Sequence, residues 1–169
     1  MSDAMTQLYQ QVILDHARER HGYPLAEAGD GESFQVNPTC GDEIRLRVHL
    51  DTSRERPRIG AVSWEGVGCS ISQASASVMT DLLTGVSVAE ADDLAQMFRA
   101  LMDNRGQEAR PEVARKLGDA AAFSGVARFP ARIKCALLGW MALRDALAHA
   151  LTSPPSSMDR NITEEREEP

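Results

Sequence analysis

A chain of 169 residues with 43% hydrophobic and 25% charged residues can bury a sizeable core and reads as one compact domain. Its formal net charge of -7 comes without any basic block, which excludes nucleic acid as a natural partner, and no apolar run is long enough to span a membrane. The three cysteines are an odd number, and Met5 to Leu14 is amphipathic rather than a uniformly apolar leader, so reduced thiols in a cytoplasm are expected.

In chain order, Thr6 to about Arg20 is predicted as an amphipathic helix, with Leu8, Val12 and Asp15-His16 along one side. His21-Gly22-Tyr23-Pro24 ends it with a glycine and a proline. Leu25 to Glu32 reads as a loop, and Ser33 to Val36 as a short strand stopped by Asn37-Pro38. Glu43 to Leu50 alternates without a miss, which places Ile44, Leu46, Val48 and Leu50 toward a core. Ile59 to Val67 alternates less cleanly and is predicted as a third strand, giving an antiparallel meander.

From Ser70 the period becomes helical. Ile71, Ala74, Val78 and Leu82 share one face, and Ser72, Gln73, Ser77 and Asp81 are assigned to the opposite one. Gly85 closes this helix, and Val86 to about Met102 forms another with Leu94, Met97, Phe98 and Leu101 as its stripe. Arg105 to Gly125 is irregular, and its short helical pieces are expected to pack loosely. Pro130 to about Leu151 is the strongest late helix. The domain is therefore drawn over residues 1–150, with 151–169 as a disordered acidic tail, whose five acids against two arginines carry -3 of the net charge. The fold class is α+β, a three-stranded antiparallel sheet packed against several helices.

The residues that suggest chemistry are Cys40, Asp42, Cys69 and Cys135. Cys40 and Asp42 bracket Gly41 in a turn, Cys69 follows Gly66-Val67-Gly68 at the start of a helix, and Cys135 lies in the first turns of the last helix. Three thiolates and a carboxylate are a plausible tetrahedral zinc set. No pair is spaced CxxC, so three unrelated buried thiols are the alternative that spacing leaves open. A helix N-terminus would favour the Cys69 thiolate. Arg128, Arg132 and Lys134 near Cys135 either offset the excess negative charge or form a solvated face. Ser72, Ser75 and Ser77 read as small residues that permit close helix packing. His16 and His21 are read as caps at the end of the first helix, His49 as an outward strand residue, and no Ser–Asp constellation is expected around any histidine. The sequence contains no Walker loop, GxGxxG or HExxH.

Four blocks together carry a family resemblance: Leu8 to His16, Asn37-Pro38-Thr39-Cys40-Gly41-Asp42, Gly66 to Ser77, and Phe129-Pro130-Ala131-Arg132-Ile133-Lys134-Cys135-Ala136. In order and over about residues 6–150, the chain resembles the IscU/NifU-like iron–sulfur cluster assembly family. Within it the SufU type is the better match, because Lys134 stands where IscU-type proteins carry a histidine, the Leu-Pro-Pro-Val-Lys segment is absent, and an extra stretch lies around 103–125. The resemblance implies an IscU/NifU-like fold and a Zn²⁺ ion held by Cys40, Asp42, Cys69 and Cys135. It also implies Cys40 as acceptor of a persulfide sulfur from a SufS-like cysteine desulfurase, and Arg132 as a partner-binding or charge-balancing residue. Such a chain is a zinc-dependent sulfurtransferase that works with its partner rather than as a stand-alone enzyme. The alternative is a scaffold on which a transient iron–sulfur cluster is assembled and transferred.

Overall fold

The computed structural model describes residues 2–153, and the expected acidic disordered tail lies almost wholly outside the described residues. Helix α1 runs Asp3–Glu19 and begins three residues before the expected Thr6. Ser2 explains the early start: its hydroxyl accepts the Met5 N–H at 3.2 Å, and Asp3 complements the positive end of the helix. Arg20, at φ 48°, stops α1 in the left-handed region, ahead of the expected glycine.

Strands β1 (Gly31–Asn37), β2 (Asp42–Asp51) and β3 (Arg58–Val67) form one antiparallel sheet in the order β1-β2-β3, as the meander required. Ile44, Leu46, Val48 and Leu50 are all buried. The poorer alternation of β3 has a local cause. The register slips between His49 and Leu50, so Ala61 pairs with His49 while Ile59 pairs with Leu50, and one residue of β3 is left over in a bulge. Ile59, Val62 and Trp64 nevertheless all reach the core.

Helices α2 (Ser70–Leu83), α3 (Val88–Asp103), α4 (Pro111–Leu117) and α5 (Pro130–Thr152) complete the layer on one side of the sheet, with a 3-10 helix over Gly118–Arg128. Helix α5 packs on β1, β2 and α2. Its approach to β1 is so close that a Cβ added at Gly31 would collide with the backbone of Ala146 and Ala150.

Two expectations are corrected here. The segment 105–125 is not loosely packed: Leu117, Ala120, Ala121 and Phe123 belong to the core. Phe123 meets Phe98 edge-on at 5.8 Å, and Phe98 stacks on Trp140 at 4.3 Å. The supposed polar face of α2 is also largely buried, including Ser72 and Ser77, because α1 and α5 pack against the same helix. These serines do allow close approach, but their hydroxyls are bonded as well. The Ser75 hydroxyl donates to Ala136 O at 2.6 Å and accepts the Trp140 indole N–H at 3.0 Å.

Candidate metal centre

The hairpin between β1 and β2 builds the exposed half of the centre. Asn37 and Asp42 are the last paired residues, and the chain between them turns with Gly41 at φ +74°. The Gly41 N–H bonds Asn37 O at 2.8 Å, and the Thr39 N–H bonds Asn37 Oδ1 at 3.1 Å. Proline at 38 and a left-handed glycine at 41 fix this turn and leave Cys40 exposed at its tip. Asp42, already inside β2, is buried.

The other half stands on two helices. Cys69 is the N-cap of α2 and makes no side-chain cap bond of its own. Asp42 reaches the cap residue itself: its Oδ1 accepts the Cys69 N–H at 3.3 Å, and the Cys69 thiol faces Oδ2 at 3.6 Å. Cys135, in the second turn of α5, is buried and lies 3.7 Å from Cys40, sulfur to sulfur. All three cysteines are free, and 3.7 Å is well beyond a disulfide bond.

The structure therefore brings all four expected residues to one place. Donor atoms of Cys40, Asp42 and Cys135 lie within 4.8 Å of one another, and Cys69 joins them through Asp42 outside that mutual radius. Burial first, and then the neighbouring Cys40, Asp42 and Cys69 side chains, push the Cys135 thiol far above its usual range. A divalent cation reverses that logic, because coordinated thiols lose their protons outright. Three soft sulfurs and one carboxylate oxygen fit zinc. Asn37 Nδ2, on the same hairpin, is buried without a partner among the described residues.

Arg132 is exposed on α5, three residues before Cys135, and makes no side-chain hydrogen bond or ion pair among the described residues. The structure does not join it to the cysteine group. Lys134 is likewise exposed.

The reading of the histidines needs correction. His16 is not a cap on exposed carbonyls but a buried residue, with Nδ1 2.8 Å from Ser77 Oγ and Nε2 3.0 Å from Asp119 Oδ2. A Ser–His–Asp arrangement thus exists where none was expected, assembled from residues far apart in the chain. Ser77 has no exposed surface, so its hydroxyl cannot meet a substrate as a nucleophile. The one sequence signal was position: His16 lies one turn after Val12 on the helix side that packs inward. Beside it, the Asp81 carboxylate holds the His21 imidazole above its usual range, with burial opposing and Glu19 adding to the effect.

No described helix is long and apolar enough to cross a membrane. The family described as NifU-like N terminal domain matches residues 8–136. The chain is 37% identical to the iron-sulfur cluster assembly scaffold protein IscU of Streptococcus pyogenes serotype M1, covering 95% of this chain and 94% of that one. It is 41% identical to the zinc-dependent sulfurtransferase SufU of Bacillus subtilis, over 83% of this chain and 90% of the relative. A crystal structure named for the SUF-system iron–sulfur scaffold of Fervidobacterium islandicum superposes with a TM-score of 0.71 at 31% identity, covering 83% and 97% of the two chains. With its sheet order, helices and matched length in agreement, this chain belongs to the family of NifU-like N-terminal domains.

Proposed function

We propose that this chain is a zinc-dependent sulfur acceptor in iron–sulfur cluster assembly. In this reading Cys40, Asp42, Cys69 and Cys135 hold Zn²⁺, and Cys40 receives sulfur from a SufS-like cysteine desulfurase that uses pyridoxal phosphate. The observation that carries the reading is an asymmetry: Cys40 is exposed on a glycine turn, while Asp42 and Cys135 are buried behind it. Bound zinc supplies charge that keeps the sulfurs as thiolates at neutral pH.

The Cys40 thiolate attacks the outer sulfur of a cysteine persulfide on the desulfurase. The sulfur–sulfur bond of that persulfide breaks, the desulfurase thiolate leaves, and Cys40 carries the new persulfide. Cys40 is the group member that can be drawn toward a partner without unpacking the core, since it stands on a hairpin tip. Asp42 stays behind, held by the Cys69 N–H. Arg132, exposed near the N-terminus of α5, offsets the excess negative charge of four anionic ligands or meets an acidic patch on the partner. The odd number of cysteines is in keeping with a cytoplasmic setting in which thiols stay reduced.

Cys40→Ala is expected to lower desulfurase stimulation at least about a hundredfold, measured as sulfide release with cysteine and a thiol reductant. Undiminished release removes Cys40 as acceptor. A second reading, a scaffold that assembles a cluster, is favoured by the name of the Streptococcus relative. Metal content separates the two: one colourless zinc per chain supports sulfur transfer, and a brown protein with visible absorption supports the scaffold.

A further inference from the structure

A second group of ligating side chains lies away from the cysteines, where α1, α2 and the 3-10 helix meet. His16, His21 and Asp81 place one donor atom each within 4.8 Å of one another. Asp81 is twelve residues beyond Cys69 on α2, about 18 Å along the helix axis, so the two groups do not share an ion.

The pattern around the two imidazoles is the informative part. A histidine that ligates a metal nearly always donates its other ring N–H to a carboxylate, carbonyl or water, which fixes the tautomer and aims the free nitrogen. Both rings here are held in that way. His16 Nε2 lies 3.0 Å from Asp119 Oδ2, and His21 Nε2 lies 2.9 Å from Glu19 Oε2. Nδ1 is left as the inward nitrogen on each ring. On His21 it is hydrogen-bonded to Asp81 Oδ2 at 2.6 Å, through a proton that an incoming cation displaces, and on His16 it faces Ser77 Oγ at 2.8 Å. Ser77 Oγ also accepts the His21 N–H at 2.9 Å, so its proton points to His16 Nδ1, and a small rotation of that hydroxyl frees the lone pair.

Charge favours a cation as well. Asp81, Glu19 and Asp119 surround two rings, whereas Arg18 pairs with Asp15 and Arg20 lies over the Tyr23 ring, 4.0 Å from its centroid. Two imidazole nitrogens and one carboxylate, half open to solvent through Asp81, suit a borderline divalent ion of the first transition row rather than magnesium or calcium.

We propose that His16, His21 and Asp81 form a second, sulfur-free site for a divalent first-row transition cation, with Asp119 and Glu19 orienting the two imidazoles. This does not rest on the zinc reading of the cysteine centre. The test is a Co²⁺ titration of the full chain pre-loaded with one equivalent of Zn²⁺, followed by visible absorption and by paramagnetic shifts of the histidine ring protons. One further equivalent is expected, with d–d bands, no sulfur-to-cobalt charge transfer, and shifts confined to His16 and His21. His21→Gln and Asp81→Asn, both at partly exposed positions, are each expected to weaken it at least tenfold while circular dichroism stays unchanged. No sulfur-free binding of Co²⁺ by either the zinc-free or the zinc-loaded chain, or equal binding by both variants, overturns the proposal. Failure of the cysteine reading would look different, as a first equivalent of Co²⁺ on zinc-free protein that lacks charge-transfer bands.

Discussion

Cys40 and Cys135 lie 3.7 Å apart and belong to opposite mechanical regimes. Cys40 stands exposed on a hairpin tip beside Gly41, where an added Cβ would meet nothing within 4 Å, and Cys135 stands on a 23-residue helix packed against the sheet and α2. A centre built wholly on the core would hold an ion firmly and expose little sulfur. One built wholly on loops would have no fixed geometry. Splitting the donors lets one sulfur leave its place while the others keep theirs.

That contrast can be broken from the rigid side first. Phe123→Ala is expected to cost about 3–5 kcal/mol in denaturant unfolding, because it empties a fully buried ring site against Phe98 beneath α5. A cost near zero would mean that the segment 118–128 does not support the helix bearing Cys135. Gly68→Ala acts where the two regimes join. An added Cβ would overlap Ser72 Oγ and lie 3.1 Å from Asp42 Cγ, so stability should fall by about 1–3 kcal/mol. Metal affinity, read by competition with a chromophoric chelator, should fall with it.

Gly41→Ala sharpens the soft side. Space is open there, and only the positive φ opposes a side chain, so the expected cost is about 1 kcal/mol with metal retained. The smallest effect concerns pH. Arg47 and then Arg45 hold the Glu32 carboxyl below its ordinary value of 4.5. The resulting stability is present above pH 4.5 and is lost as pH falls through the lowered value. Because the three side chains are about a quarter to two-fifths exposed, screening keeps the contribution below about 1 kcal/mol. Glu32→Gln should flatten the acid limb of a stability–pH curve and leave sulfur acceptance untouched.

The sheet and the gathering of Cys40, Asp42, Cys69 and Cys135 were legible because their signals are local. Strict alternation marks β2, and each cysteine or its aspartate sits beside a glycine or proline that shapes the chain. The segment 118–128 was illegible for the opposite reason. Ala120, Ala121 and Ala122 in a 3-10 helix show neither of the usual periods, and small side chains hide how closely they pack. The histidine group escaped because its members come from α1, the turn after it, α2 and the 3-10 helix, and no spacing announces that Asp119 will meet His16. Ser77 was legible as a small residue permitting close helix packing, but not as the partner of His16.

The Ser75 hydroxyl, bonded to Ala136 O and to the Trp140 indole, acts as a polar stitch between the two helices that carry Cys69 and Cys135. Because Ala136 directly follows Cys135, the stitch fixes the gap between those helices whether or not an ion sits between their thiols. If an ion fills and leaves the centre as proposed, the helical scaffold stays in register, and any movement of Cys40 toward a partner is confined to the few residues of the hairpin.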